Sequence, residues 1–198
     1  MGRVSYFGIE GYRPQWRCGR RAITAAHGGR LHALIGRRLE HIWLVWDRDD
    51  DEWFADGPVV LDFGGEHVEI SHQKFADLSI TWNTIDPVGR PNWSSGSDDD
   101  PDVHTFDLSW RHDAMPEPAA LHGRQLTAVE LLEWAGRDVA NGMIAVGFVF
   151  GDHRMTISNA LDANMLEFGA PPANYRSHSL GAPGGRRGRG YASEIRSR

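Results

Sequence analysis

The chain has 198 residues, 40% of them hydrophobic and 24% charged, with a net charge of −6. Enough apolar residues are present for a folded core, and no apolar run approaches the roughly 18 residues of a membrane-spanning helix, so wholesale disorder and a helical membrane span are excluded. The charge is uneven: five arginines and one glutamate fall in residues 181–198, which leaves a strongly acidic body. Such a body disfavours general nucleic-acid binding and suits solubility or a basic protein partner.

Residues 1–30 form a basic, Gly- and Arg-rich extension, expected to be partly flexible with at most a short helix near Arg21–His27. They contain no continuous apolar stretch of the kind a secretory signal needs. Cys18 is the single cysteine. It can form no internal disulfide, it has no evident base beside it to make it a nucleophile, and it points to a reducing, cytoplasmic setting. Lys74 is the sole lysine among many arginines, the habit of GC-rich bacterial genomes.

From residue 31 the chain begins to repeat itself. Slid by 87 residues, Ala33, Leu34, Gly36, Arg37 and Leu39 fall on Ala120, Leu121, Gly123, Arg124 and Leu126, and Phe63-Gly64 and Ile70-Ser71 fall on Phe150-Gly151 and Ile157-Ser158. About a dozen identities over roughly 44 positions exceed the roughly three expected by chance. The reading is two copies of one unit, over residues 31–85 and 104–170, the repeat proper of the second starting near 119.

The unit has the period-two alternation of strands. Val59, Leu61 and Phe63 precede Gly64-Gly65, and Val68 and Ile70 follow; Val146, Phe148 and Phe150 precede Gly151-Asp152, and Met155 and Ile157 follow. Each is a hairpin with a tight glycine turn. Leu39–Trp46 and Leu126–Trp134 read as opening strands, although the second has helical propensity. Leu78–Trp82 and Asn164–Phe168 read as closing strands, and His104–Trp110 as an additional one. A unit of about 50 residues has too little buried area to stand alone. The expected fold is therefore mainly β with little helix: an internally duplicated antiparallel β-meander, the copies packed into one pseudo-symmetric sandwich or barrel. Residues 86–103, rich in Pro and Ser with an Asp98–Asp100 run, read as an acidic linker, and residues 171–198 as a disordered Gly/Arg-rich tail. Contact of that tail with RNA is not expected, since it holds a single aromatic residue, Tyr191.

No HExxH, GxSxG, P-loop or GxGxxG signature is present, so the first functional expectation is a non-enzymatic, cofactor-free, protein-binding module, one version being an immunity- or antitoxin-like inhibitor. Its contact surface would combine Asp47, Asp49, Asp50 and Asp51 with Trp46 and Trp53, because Trp is favoured at binding hot spots. Asp47, Asp49 and Asp51 have the spacing of calcium-loop ligands, but Glu52 and Pro58 stand where such a loop needs Gly and Glu. The alternative is a metal-binding protein or metal-dependent hydrolase built on Asp62, His67 and Glu69, which alternation places on one strand face, with His72 or His153 completing it. Against it, any half-buried strand shows a polar outer face. A third candidate is carbohydrate binding through exposed Trp46 or Trp53.

Overall fold

The computed structural model describes residues 9–88 and 106–181. In chain order these form β1 (Trp16–Arg17), α1 (Arg20–His32), β2 (His41–Asp47), β3 (Glu52–Trp53), β4 (Val59–Asp62), β5 (His67–Gln73), β6 (Asp77–Trp82), β7 (Leu108–Arg111), α2 (Pro116–Ala119), β8 (Ala128–Trp134), β9 (Ile144–Phe150), β10 (His153–Asn159), β11 (Asn164–Phe168) and β12 (Tyr175–Ser179). The protein is mainly β. One sheet runs β1-β6-β5-β4-β2-β3, with β7 also on β2, and the other runs β11-β10-β9-β8-β12. Every strand pair is antiparallel. None of the helices among the described residues is long and apolar enough to cross a membrane.

Alternation decides which side chains meet between the sheets. Ile42 and Leu44 of β2, Leu61 of β4, Val68 and Ile70 of β5, and Leu78 and Ile80 of β6 join Val129, Leu131, Val146, Phe148, Met155 and Ile157 in one buried cluster. Each fully buried aliphatic or aromatic side chain contributes on the order of 1.5–3 kcal/mol. The helical propensity of Glu130-Leu131-Leu132-Glu133 is overridden because β8 has a ladder on both sides, with β9 and with β12.

β8 begins and ends 87 residues after β2, and the Val59–Ile70 and Leu61–Val68 pairs of the β4–β5 hairpin recur at the same shift as Val146–Ile157 and Phe148–Met155 of the β9–β10 hairpin. The sheets meet through reciprocal backbone bonds at the two Gly-Arg-x-Leu elements. Gly36 N–H donates to Leu126 C=O (2.8 Å), and Gly123 N–H to Leu39 C=O (2.7 Å); Leu39 N–H donates to Arg124 C=O (2.9 Å), and Leu126 N–H to Arg37 C=O (2.8 Å). Both glycines have positive φ, +92° and +75°, a conformation that costs an L side chain and that glycine adopts freely.

Three expectations need correction. The N-terminal extension is structured from residue 9 on: α1 is longer than the short helix foreseen, and the segment before it packs on the first sheet. The tail expected to be disordered from residue 171 contains β12, which pairs with β8; residues 182–198 lie outside the described residues, as do 1–8 and most of the acidic linker. Most consequential, the outer face of the first sheet is not a plain polar surface. Ile9, Tyr12, Val45, Val60, Ile85 and Leu108 make a second buried cluster there, flanked by Trp43, Phe54, Phe106 and Trp110. The Tyr12 hydroxyl meets the Ser71 hydroxyl at 2.7 Å. Residues 9–12 and 85 thus roof part of that face, beside Leu108 and Trp110 of β7.

Candidate metal centre

Beside this roof the outer face carries a row of ionisable side chains set by strand register. His41 on β2 pairs with Asp62 on β4, which pairs with His67 on β5. In-register neighbours on one face have their Cβ atoms about 4.5–5.5 Å apart, so the three side chains converge on Asp62. His67 Nε2 lies 3.6 Å from Asp62 Oδ1, and His41 Nδ1 lies 3.9 Å from Oδ2. Asp62 is itself anchored, its Oδ1 accepting the Gly65 N–H of the hairpin turn at 2.9 Å.

Glu40, one residue before β2, reaches the same point. Its carboxylate occupies space over the turn: a Cβ on Gly64 would stand 3.3 Å from Glu40 Oε1. Gly64 and Gly65 both have positive φ, so the tight turn and the room for Glu40 have one origin. One ligand atom each from Glu40, His41 and Asp62 lie within 4.8 Å of one another.

His67 is oriented by what lies behind it. Its backbone N–H donates to Asn83 Oδ1 (2.7 Å), and its Nδ1 faces the Ile85 carbonyl at 3.2 Å. A carbonyl oxygen only accepts, so Nδ1 carries the proton, and Nε2 is the atom turned toward Asp62. This is the backing that metal-binding imidazoles usually have.

Two more histidines arrive from the segment after β7. The His112 ring stands edge-on to His41 (centroids 4.7 Å, 62°) and to Trp43 (4.5 Å, 77°). The His122 ring stands edge-on to His41 at 5.5 Å. His122 Nε2 accepts the Ile42 N–H at 3.3 Å, beyond the end of the β2–β7 ladder. Burial, helped by the nearby rings of His41 and His112, pushes the His122 imidazole below its ordinary pKa.

Of the residues singled out from the sequence, Asp62 and His67 come together here. Glu69 does not. It is fully buried, one row deeper, and its carboxylate accepts the Thr84 N–H (2.5 Å), the Ile85 N–H (2.8 Å), the Thr84 hydroxyl (2.7 Å) and the Thr81 hydroxyl. Four donors fill its lone pairs, so it ties the chain after β6 to the sheet and has nothing left for a cation. His72 points inward, between the sheets, where it meets Asn164 and the Ile144 carbonyl. His153 sits at the far hairpin, 2.6 Å from Asp152.

The acidic loop is largely occupied with itself. Asp47 is buried and accepts the Asp49 N–H at 2.9 Å. Asp51 accepts the Trp46 indole N–H at 2.8 Å and pairs with Arg111 at 3.2 Å, and the Arg111 guanidinium lies over the Trp46 ring. Trp46 is only 9% exposed, and Trp53 packs against the main core. Trp46 is thus largely covered and Trp53 half-buried, while Asp49 and Asp50 are exposed.

Sequence reasoning missed Glu40, His41, His112 and His122. The one available signal was alternation, which puts His41 on the face of Trp43. Alignment of His41 with Asp62 is a matter of β2–β4 register, and the other two histidines lie far along the chain. No protein family, curated protein or solved structure matches the chain.

Proposed function

We propose that this protein binds a divalent metal ion at Glu40, His41 and Asp62, with His67 held behind Asp62, and that the centre is of the hydrolytic kind. The observation that carries the reading is the convergence of three ligand atoms of different chemistry within 4.8 Å. Imidazole and carboxylate together suit first-row divalent ions. Three protein ligands leave a coordination position for water, whose pKa such an ion lowers enough to make a nucleophile near neutral pH. Glu40 is exposed and His41 half-exposed, so substrate can reach the ion from solvent.

The finer reading of the architecture, that the two meanders descend from one ancestral unit, is supported by the shared shift of 87 residues and by the reciprocal bonds of Gly36–Leu39 with Gly123–Leu126. The second unit carries Thr127, Ala128 and Val149 where the first has Glu40, His41 and Asp62, so the proposed centre belongs to one unit alone. The protein-binding surface expected around Asp47–Asp51 is the weaker reading, since Trp46, Asp47 and Asp51 are already engaged within the chain.

The test is metal titration of chelator-stripped protein by calorimetry, with elemental analysis. One zinc or manganese ion per chain, lost in Asp62→Asn and weakened at least about tenfold in His41→Ala, is the expected outcome. A wild-type protein that takes up no stoichiometric ion would sink the reading.

A further inference from the structure

We infer that His112 is a fourth protein ligand of this centre, and that the ion is therefore of the imidazole-preferring class, zinc or cobalt, and not magnesium or calcium. This rests on the metal-binding reading above and specifies its ligand set and cation class. Two neighbouring histidines flank His41, and the structure tells them apart. The ring of His122 is spoken for, since Nε2 accepts the Ile42 N–H and the proton consequently sits on Nδ1. It packs edge-on against His41 and is not counted among the ligands.

The ring of His112 makes no hydrogen bond within the described residues. Its contacts are the edge-on rings of His41, Trp43 and His122. A half-buried imidazole with uncommitted nitrogens, centred 4.7 Å from a candidate ligand ring, has the chemistry of a ligand and no other visible employment. Its backbone lies just past β7, whose last residue Arg111 pairs with Leu44, which sets the His112 side chain beside His41. Two imidazoles and two carboxylates then surround the cation, and the water of the hydrolytic reading takes a fifth position, a coordination number that catalytic zinc reaches. That set is nitrogen-rich enough to favour zinc or cobalt, whereas magnesium and calcium prefer all-oxygen shells. An ion held this way also pins the segment between β7 and α2 to β2.

The experiment uses the full chain, stripped and reloaded with zinc, cobalt or magnesium, in wild type, His112→Ala, His112→Phe and His122→Ala. Phenylalanine keeps the edge-on packing and removes the nitrogens, so it guards against a folding artefact; circular dichroism of each stripped variant completes that control. The expected result is that zinc affinity falls about tenfold or more in both His112 variants, that the intense visible bands of a low-coordinate cobalt site collapse in both, and that His122→Ala retains stoichiometry and spectrum. Magnesium in large excess should not displace cobalt. Unchanged zinc affinity and cobalt spectrum in His112→Phe would overturn the His112 assignment while leaving metal binding standing. Magnesium or calcium competing on equal terms with zinc would overturn the cation class. A wild-type chain that binds no metal would overturn both this inference and the reading beneath it.

Discussion

Glu69 shows at the scale of one residue how position and exposure part company. Alternation places it correctly, on the face of His67 and Ser71. Exposure depends on what lies over that face, and here the roof turns an expected surface carboxylate into a buried one with four donors. Its loss would leave the Thr84 and Ile85 N–H groups without their acceptor, and an unmade buried bond costs about 1–3 kcal/mol. Glu69→Ala should therefore lower unfolding free energy by about 3 kcal/mol in urea, with Glu69→Gln also destabilising because its amide turns a donor toward other donors. An unchanged urea midpoint in both variants would remove this carboxylate from the account of stability. His67 is the converse case: its face was legible, but its role depends on the Ile85 carbonyl that fixes its tautomer.

At the scale of elements, the β4–β5 and β9–β10 hairpins were legible because glycine at a turn between alternating apolar runs has few other meanings. Their joining is not local. Asn164, at the start of β11, accepts the His72 N–H of β5 at 3.0 Å and donates through Nδ2 to the Gly57 carbonyl at 2.8 Å, so one buried side chain ties three segments across the sheets. Asn164→Ala should cost about 2–3 kcal/mol and lower the melting temperature by several degrees; Asn164→Asp should be no milder, because it turns an oxygen toward the Gly57 carbonyl. A melting temperature within a degree of wild type for the alanine variant would show that the link is not used. β12 was missed because Tyr175-Arg176-Ser177-His178-Ser179 carries no apolar alternation; an edge strand recruited by the open side of β8 needs only backbone groups.

For the whole molecule, stability should depend on pH with a definite sign. Burial holds the His72, His27 and His122 imidazoles below their ordinary pKa, with the acceptor oxygens of Asn164 and Ile144 pulling His72 the other way and Arg17 and Arg30 reinforcing the effect at His27. The unfolded chain then binds more protons than the folded one, so the stabilisation is complete above about pH 6.5 and is lost as pH falls below it. Melting of chelator-stripped protein should show a falling transition temperature between about pH 7 and pH 5, with a shallower slope in His72→Gln. A transition that rises with acidification over that window would contradict the assignment.

The sequence by itself determined the strand-forming segments, their turns and the inward set of apolar side chains, because period-two patterning and glycine chemistry act over a few residues. It also set Asp62 and His67 side by side, since a short hairpin turn fixes their register. Tertiary structure alone decided the rest. Lateral register between β2 and β4 brought Glu40 and His41 to Asp62, the return of the chain after β7 delivered His112 and His122, and the roof over the outer face withdrew Glu69 from solvent. These pairings join residues tens of positions apart, where the energy that selects them is spread over the whole core and leaves no mark on any one stretch of sequence.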